Sequence, residues 1–291
     1  WAAALLVVIG HTRALLFSDF QTINEKTLLL QLIYFLTSLG HEAVVFFFVI
    51  SGFLVGGVTL ERWRNSGPRL GDYAVARFSR IYIVLLPALV LEMILDISGV
   101  TWLNSSEIYT DARKLDLGSV NSNVNDTLNA KTFIGNALLL NGILTENLGS
   151  NGPLWSLAYE CWYYAIFACF AAASTGSGAR RIFYACAGLA IVKFLPYVIL
   201  IWGVIWAMGL LTFFWAKSVR WRPAPIVGIG ALITTLFLAK LLNFETAFAG
   251  SHNLLAPFAR DFIVGTAFSI ALVSVSRTTR NPRLPQFHDK L

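Results

Sequence analysis

The sequence predicts an all-α fold, a polytopic bundle of transmembrane helices with about eight spans and one re-entrant or outer-surface segment. Hydrophobic residues make up 56% of the 291 residues, and charged residues only 13%. The mean hydropathy is +0.66. The apolar residues come in long runs that are apolar on every face, which favours membrane helices over the alternating strands of a barrel.

The apolar segments divide the chain into candidate spans. In chain order they are Ala2–Phe17, Leu28–Val58, Ile81–Ile97, Phe133–Leu144, Leu154–Ala173, Ile182–Leu195, Val198–Ala216, Ile226–Leu242 and Phe258–Val275. Leu28–Val58 is too long for one perpendicular crossing of a ~30 Å bilayer core. Because Gly40, His41 and Glu42 interrupt it, we predict a short outer helix and then a span over about Ala43–Leu60.

Basic loops predict the orientation, because Lys and Arg concentrate on the cytoplasmic side of a membrane. Four clusters are present: Arg62, Arg64, Arg69, Arg77 and Arg80; Arg180 and Arg181; Lys217, Arg220 and Arg222; and Arg277, Arg280 and Arg283. If all four are cytoplasmic, Phe133–Leu144 cannot cross the membrane once. It is short and contains Gly135 and Asn136, so we predict a re-entrant or outer-surface helix. The alternative makes it a span and puts three arginine clusters outside.

Residues 1–291 are predicted to form a single transmembrane domain, because no internal repeat and no long linker is visible. Ala2–Phe17 would rise roughly 24 Å as a helix, less than the ~30 Å core. We therefore expect residues to be missing upstream. Because Pro285–Leu291 stops without a capping or tail composition, we expect the sequence to be truncated at both ends. The net charge of +6 fits the excess of Lys and Arg that membrane proteins carry in their cytoplasmic loops. No basic soluble block is present that would bind nucleic acid.

Ionisable residues within apolar segments are candidate functional residues, because charge is costly in a bilayer. His11 and Glu160 suggest an acid–base pair in which the carboxylate orients the imidazole; on sequence distance alone, a structural buried histidine is the favoured interpretation. Glu92 and Asp96 lie four residues apart on one helix face. For Asp96, a helix end that faces water is the favoured interpretation. The spacing of the His, Cys and carboxylate residues does not indicate a metal site.

Two further groups carry possible chemistry. Arg77 and Arg80 are three residues apart at the predicted cytoplasmic start of a span, where they can bind phosphates or simply anchor the topology. Tyr73 nearby fits an interfacial aromatic belt. Ser156 follows Trp155 and is a possible nucleophile, although capping of a helix start is the favoured interpretation.

Four segments along the chain have familiar patterns. They are Ala4–His11, which ends in histidine; His41–Leu54, with Phe-Phe-x-x-Ser-Gly-Phe; Arg77–Tyr82, with Arg-x-x-Arg; and Pro153–Leu157 with Glu160, as Trp-Ser-Leu-x-x-Glu. In this order they resemble the motifs of acyltransferase family three, integral membrane enzymes that acylate bacterial glycans. In that family an arginine and ten residues precede the first histidine, so the arginine would stand immediately before Trp1. The resemblance covers nearly the whole chain.

The resemblance implies a reaction at the bacterial inner membrane. Acyl-CoA, usually acetyl-CoA, would bind from the cytoplasm as donor, with no permanently bound cofactor. The acyl group would pass to a hydroxyl of an extracytoplasmic or lipid-linked glycan. His11 would be the catalytic base or an acyl relay with Glu160 as its partner, and Arg77 and Arg80 would contact the CoA phosphates. The substrate pocket would include Trp155, Ser156, His41 and Glu92.

An ion-coupled transporter is the alternative function. Glu92, Asp96 and Glu160 would then be proton or cation sites within the membrane. A transporter is expected to show internal repeats or paired broken helices, and the sequence shows neither. The acyltransferase is therefore the favoured prediction.

Overall fold

A computed structural model describes residues 1–17, 20, 23–103, 109, 124–219, 223–241 and 254–276. These residues form helices and no β-strand, apart from an isolated bridge between Asn141 and Thr145. The helices are α1 Ala2–Leu16, α2 Leu28–Thr37, α3 Gly40–Ser51, α4 Val58–Ser66, α5 Leu70–Trp102, α6 Val124–Thr127, α7 Ala130–Ala137, α8 Trp155–Thr175, α9 Gly178–Phe194, α10 Tyr197–Ser218, α11 Pro225–Leu241 and α12 Leu255–Val275. A π-helix, Gly52–Gly57, joins α3 to α4, and a 3-10 turn, Gly152–Leu154, precedes α8. The all-α prediction is confirmed.

Four helical stretches of the described residues are long and apolar enough to cross a membrane. They are Leu28–Ser66, Leu70–Trp102, Tyr197–Ser218 and Leu255–Val275. The predicted count of about eight spans is therefore not confirmed. Ile83 and Val84 on α5 are 72% and 68% exposed, as expected of side chains that face lipid. The basic cluster Arg277, Arg280 and Arg283 lies outside the described residues.

The predicted break in the second apolar segment is present, but it lies earlier than expected. Helix α2 ends at Thr37, and the Ser38 hydroxyl donates to the carbonyl of Phe35. Gly40 then begins α3, so His41 and Glu42 belong to its first turn and do not interrupt it. A side chain at Gly10 of α1 would lie 3.1 Å from the Thr37 carbonyl oxygen. Helix α1 therefore passes close to this break.

Helix α5 begins eleven residues before the predicted span Ile81–Ile97. Arg77 and Arg80 consequently lie within α5, and the connection from α4 is limited to residues 67–69. Gly67, at φ +77°, supplies the left-handed conformation with which α4 terminates. The 33 residues of α5 rise roughly 50 Å, more than a bilayer core, so its polar ends continue beyond the apolar region.

Phe133–Leu144 does not form a spanning helix. Only α7 is regular there, and its eight residues rise about 12 Å. The Asn129 side chain caps α7 by accepting from the backbone N–H of Thr132 at 3.0 Å. Asn136 then stabilises the following loop, because its amide donates to the carbonyls of Thr132 and Glu146 at 2.8 and 2.9 Å. The side chain also accepts from the N–H of Leu148.

The chain divides into two compact units, Trp1–Val44 with Thr59–Gly203, and Val45–Val58 with Val204–Leu291. In the first unit, α8 packs along α9, and α5 packs against α7 and α8. Trp63, Tyr73 and Phe167 form an aromatic cluster there. In the second unit, α11 packs along α12.

Candidate functional site

Arg77 contacts two aromatic rings in the first unit. Its guanidinium carbon lies 5.8 Å from the ring centroid of Tyr73 and 5.9 Å from that of Tyr164. The side chain is half-buried, and its Nε has no hydrogen-bond partner among the described residues. Aromatic faces bind a guanidinium without using its N–H groups, which leaves those groups for an anion. Arg80, in contrast, is exposed.

Glu160 is hydrogen-bonded to one of these two tyrosines. The hydroxyl of Tyr164, one turn later on α8, donates to Glu160 Oε1 at 2.5 Å. The hydroxyl of Tyr73 donates to the backbone carbonyl of Tyr164 at 3.3 Å, and this bond links α5 to α8. A cation, a carboxylate and two phenols are thus gathered between α5 and α8.

His11 lies on α1, next to the close approach of Gly10 to the start of α3. The imidazole is half-buried, and its Nδ1 has no hydrogen-bond partner within the described residues. Among the described residues, Tyr164 donates a hydrogen bond to the carboxylate of Glu160. No hydrogen bond joins that carboxylate to His11 within the same residues. The pairing of His11 with Glu160 stays a prediction.

A cavity of about 640 Å³ lies beside α1 and α2. Most of its lining is apolar, and α1 contributes Val8, Ile9, Thr12 and Arg13. These positions share one face of the helix, whereas His11 falls on another. The cavity is therefore separate from the imidazole.

Glu92 and Asp96 bind the turn that precedes α8. The backbone N–H and the hydroxyl of Ser150 donate to Asp96 at 2.6 and 2.9 Å. The amide of Asn151 donates to Glu92 Oε2 at 3.0 Å, while the buried Oε1 has no hydrogen-bond partner in the described ranges. Asp96 is only 4% exposed, so it is not a helix end that faces water. The two carboxylates fix the entry to α8.

Asp96→Asn is expected to destabilise the protein by about 1.5–3 kcal/mol, because a buried hydrogen bond to a charged acceptor is lost. Thermal unfolding in detergent measures this, with Glu146→Gln as control. Glu146 lies in the loop that carries Ser150, and its side chain is exposed. Equal melting temperatures for Asp96→Asn and the wild type would show that the Ser150 contacts contribute nothing.

The remaining predicted pocket residues lie at helix starts. Ser156 does not cap α8; its hydroxyl donates to the carbonyl of Pro153 at 3.1 Å, because the residue already lies inside the first turn. Trp155 packs edge-on against Tyr159, with ring centroids 5.1 Å apart. His41 is half-buried in the first turn of α3.

The Phe-Phe-x-x-Ser-Gly-Phe segment makes a close helix crossing in the second unit. The indole N–H of Trp206 donates to the Ser51 hydroxyl at 3.0 Å. A Cβ at Gly52 would lie 1.9 Å from the carbonyl oxygen of Trp206, and one at Gly209 would lie 2.0 Å from that of Val49. Glycine is therefore required at both positions. The π-helix begins at this crossing.

Sequence reasoning missed two sets of residues. Tyr73 was assigned to an aromatic belt and Tyr164 was not considered, although both lie four residues from a candidate charge. That i,i+4 spacing to Arg77 and Glu160 is the signal that would have found them. Arg260 and Asp261 form a buried pair on α12, with Nε and Oδ1 3.2 Å apart. Two adjacent charges in an apolar segment were the signal there.

The long apolar helices are those of a helical membrane protein, and polar groups are gathered between α5 and α8 in its first unit. The acyltransferase domain of acyltransferase family 3 matches residues 1–284, and the chain belongs to that family. Comparisons with curated proteins and with solved structures gave no match. The protein is therefore an acyltransferase of the membrane, and the sequence-based assignment of the family is confirmed.

Proposed function

We propose that the protein transfers an acyl group, usually acetyl, from cytoplasmic acyl-CoA to a hydroxyl of an extracytoplasmic or lipid-linked glycan at the bacterial inner membrane. The observation that carries this proposal is the proximity of Arg77 to Glu160. Both contact Tyr164, the arginine through the ring and the carboxylate through the hydroxyl. An anion bound at Arg77 would thus lie close to a group suited to acid–base chemistry.

The donor side of the site uses the half-buried guanidinium. Arg77 Nε lacks a hydrogen-bond partner in the described part of the chain, so it can donate to a phosphate of acyl-CoA. Arg80 is exposed and contributes a second positive charge three residues further along α5. An arginine pair suits the diphosphate of CoA, because each guanidinium can donate two N–H bonds.

His11 performs the chemical step in this proposal. The imidazole takes the proton of the acceptor hydroxyl while the hydroxyl oxygen attacks the thioester carbonyl carbon. A C–O bond forms, the C–S bond breaks, and CoA leaves as a thiolate that is then protonated. Glu160, which makes no hydrogen bond to His11 in the structure, would accept one from the imidazole in this step and stabilise the imidazolium ion.

Residues near the turn before α8 are assigned to the acceptor side. Glu92 Oε1 is buried and has no hydrogen-bond partner among the described residues, so it can accept from a sugar hydroxyl that enters this interior. Trp155 supplies an aromatic surface, and Ser156 holds the first turn of α8 through Pro153. His41 is assigned to the outer mouth of the site.

Arg77→Ala is expected to weaken acyl-CoA binding roughly ten- to a hundredfold, because a charge-assisted hydrogen bond to phosphate is lost. Arg77→Lys restores part of the affinity, since an ammonium cannot donate two parallel bonds. Equilibrium binding of CoA to the purified protein measures both. Arg69→Ala is the control, because this exposed arginine lies 4.0 Å from Asp72 and touches neither ring. Normal binding by folded Arg77→Ala would remove Arg77 from the donor site.

Mass spectrometry of surface glycans from cells with and without the gene tests the proposed function. We expect one acyl modification to disappear with the gene and to return with the wild-type copy. An unchanged set of glycans, together with ion-coupled flux, would favour the transporter. Against that alternative, Asp96 and Glu160 already accept hydrogen bonds from Ser150 and Tyr164.

A further inference from the structure

Tyr164 contacts both charged groups of the candidate site. Its hydroxyl donates to Glu160 Oε1 at 2.5 Å, and its ring centroid lies 5.9 Å from the guanidinium carbon of Arg77. The side chain is only 6% exposed, so water competes little for either contact. One buried side chain therefore joins the predicted donor-binding residue to the predicted catalytic carboxylate.

The position of Tyr164 is itself fixed by its surroundings. Tyr73 donates to the backbone carbonyl of Tyr164, and its own ring contacts Arg77. Tyr73 is in turn packed by Trp63 and Phe167, with ring centroids 5.6 and 6.0 Å away. This packing limits the rotation of the rings around the guanidinium. The Tyr164 hydroxyl that donates to Glu160 is consequently held in one position.

We propose that Tyr164 is a positioning residue for catalysis, which orients the Glu160 carboxylate while its ring helps to hold Arg77. This inference rests on the proposed function. The phenol O–H engages Oε1, so Oε2 is the oxygen that would accept from the imidazole of His11 in the proposed step. A carboxylate held at one oxygen has less freedom to rotate, so the second oxygen presents a defined acceptor. Loss of the hydroxyl alone should therefore affect the chemical step and not donor binding.

The neighbouring tyrosine provides a matched control. Tyr163 is also buried, at 3% exposure, and its hydroxyl donates to the backbone carbonyl of Ile199 at 2.8 Å. That bond joins α8 to α10 and involves no charged group. Tyr163→Phe thus removes a buried phenol hydroxyl from the same helix without touching Glu160.

Three variants separate the two contacts of Tyr164. Tyr164→Phe keeps the ring and removes the hydroxyl, so we expect kcat to fall roughly ten- to a hundredfold with unchanged affinity for CoA. Tyr164→Leu removes the ring as well and should also weaken CoA binding. Tyr163→Phe should change neither quantity. Labelled acetyl transfer measures kcat, CoA binding measures affinity, and thermal unfolding in detergent confirms that each variant is folded.

A double-mutant cycle distinguishes positioning from a merely structural role. If Tyr164 acts through Glu160, Tyr164→Phe should cost little further turnover in a Glu160→Gln background. An equal loss in both backgrounds, or equal losses for Tyr164→Phe and Tyr163→Phe, would overturn the inference. Wild-type turnover by folded Tyr164→Phe would overturn it too. These outcomes differ from failure of the proposed function, in which the wild type itself would neither bind CoA nor transfer acetyl groups.

Discussion

His11→Ala is expected to lower acyl transfer by roughly 10²- to 10⁴-fold while leaving acyl-CoA binding nearly unchanged. The imidazole acts as general base in the proposed step, and a positioned base contributes about that much to the rate. In the proposed function donor affinity comes from the guanidinium of Arg77, which the substitution does not alter. Turnover and CoA binding measured on the same preparation separate the two effects.

Glu160→Gln and the double variant test whether the two residues act together. The neutral amide cannot stabilise an imidazolium ion, so the single variant should lose much of the rate. If both residues serve one step, the double variant should be little slower than His11→Ala. Thr12→Ala, on an exposed neighbour in α1, is the control for disruption of the helix. Near-normal turnover by folded His11→Ala would exclude the mechanism, and additive losses would assign the residues independent roles.

Gly52→Ala is expected to destabilise the second unit severely. The new methyl carbon would lie 1.9 Å from the backbone carbonyl oxygen of Trp206, and neither backbone can move without displacing a packed helix. Overpacking of this kind costs about 1–3 kcal/mol and sometimes more. Melting temperature in detergent and the yield of monodisperse protein measure the loss.

Gly230→Ala is the matched control for that substitution. It also adds a methyl group to a helix of the second unit, but no atom lies within 4 Å of the new position. Because alanine favours helix more than glycine does, its melting temperature should be unchanged or higher. Equal melting temperatures for the two variants would show that the crossing at Gly52 is not close-packed in the membrane.

Hydropathy predicted where helices lie but not where they end. The span predicted over Ile81–Ile97 is the apolar middle of α5, which continues through Arg77 at one end and Trp102 at the other. The length of an apolar segment matches the thickness of the bilayer core, whereas a helix continues as long as its backbone hydrogen bonds are favourable. For the same reason, the sequence predicts Arg77 and Arg80 just before the span Ile81–Ile97, whereas the structure has them within α5.

Charge counting was informative at Phe133–Leu144, where hydropathy alone was misleading. The segment is apolar enough to resemble a short span, but the arginine distribution required an even number of crossings. The structure shows α7 followed by a loop whose polar backbone groups are satisfied by Asn136. That pattern of hydrogen bonds joins residues ten and twelve apart, and no local periodicity reports it.

The sequence selected the residues of the candidate site but not their arrangement. His11 and Glu160 stand out as costly charges within apolar segments, and Arg77 through the Arg-x-x-Arg motif; the roles of all three stay predictions. The contact of Arg77 with Tyr164 joins α5 to α8 across 87 residues, and a single sequence contains no information on such packing. The motif Ser51-Gly52 was recognised as a signature, but the clash that requires the glycine depends on Trp206 in α10.

Transfer of label from acyl-CoA to glycan by the purified protein in lipid vesicles tests the proposed reaction most directly. Labelled acetyl-CoA is supplied on one side of the membrane, and a glycan acceptor from the producing cells is supplied on the other. We predict that label enters the glycan, that one free CoA thiol appears for each acetyl group transferred, and that His11→Ala and Arg77→Ala lose both signals. Vesicles in which wild-type protein releases no CoA and labels no glycan, or in which both variants match the wild type, would contradict the account.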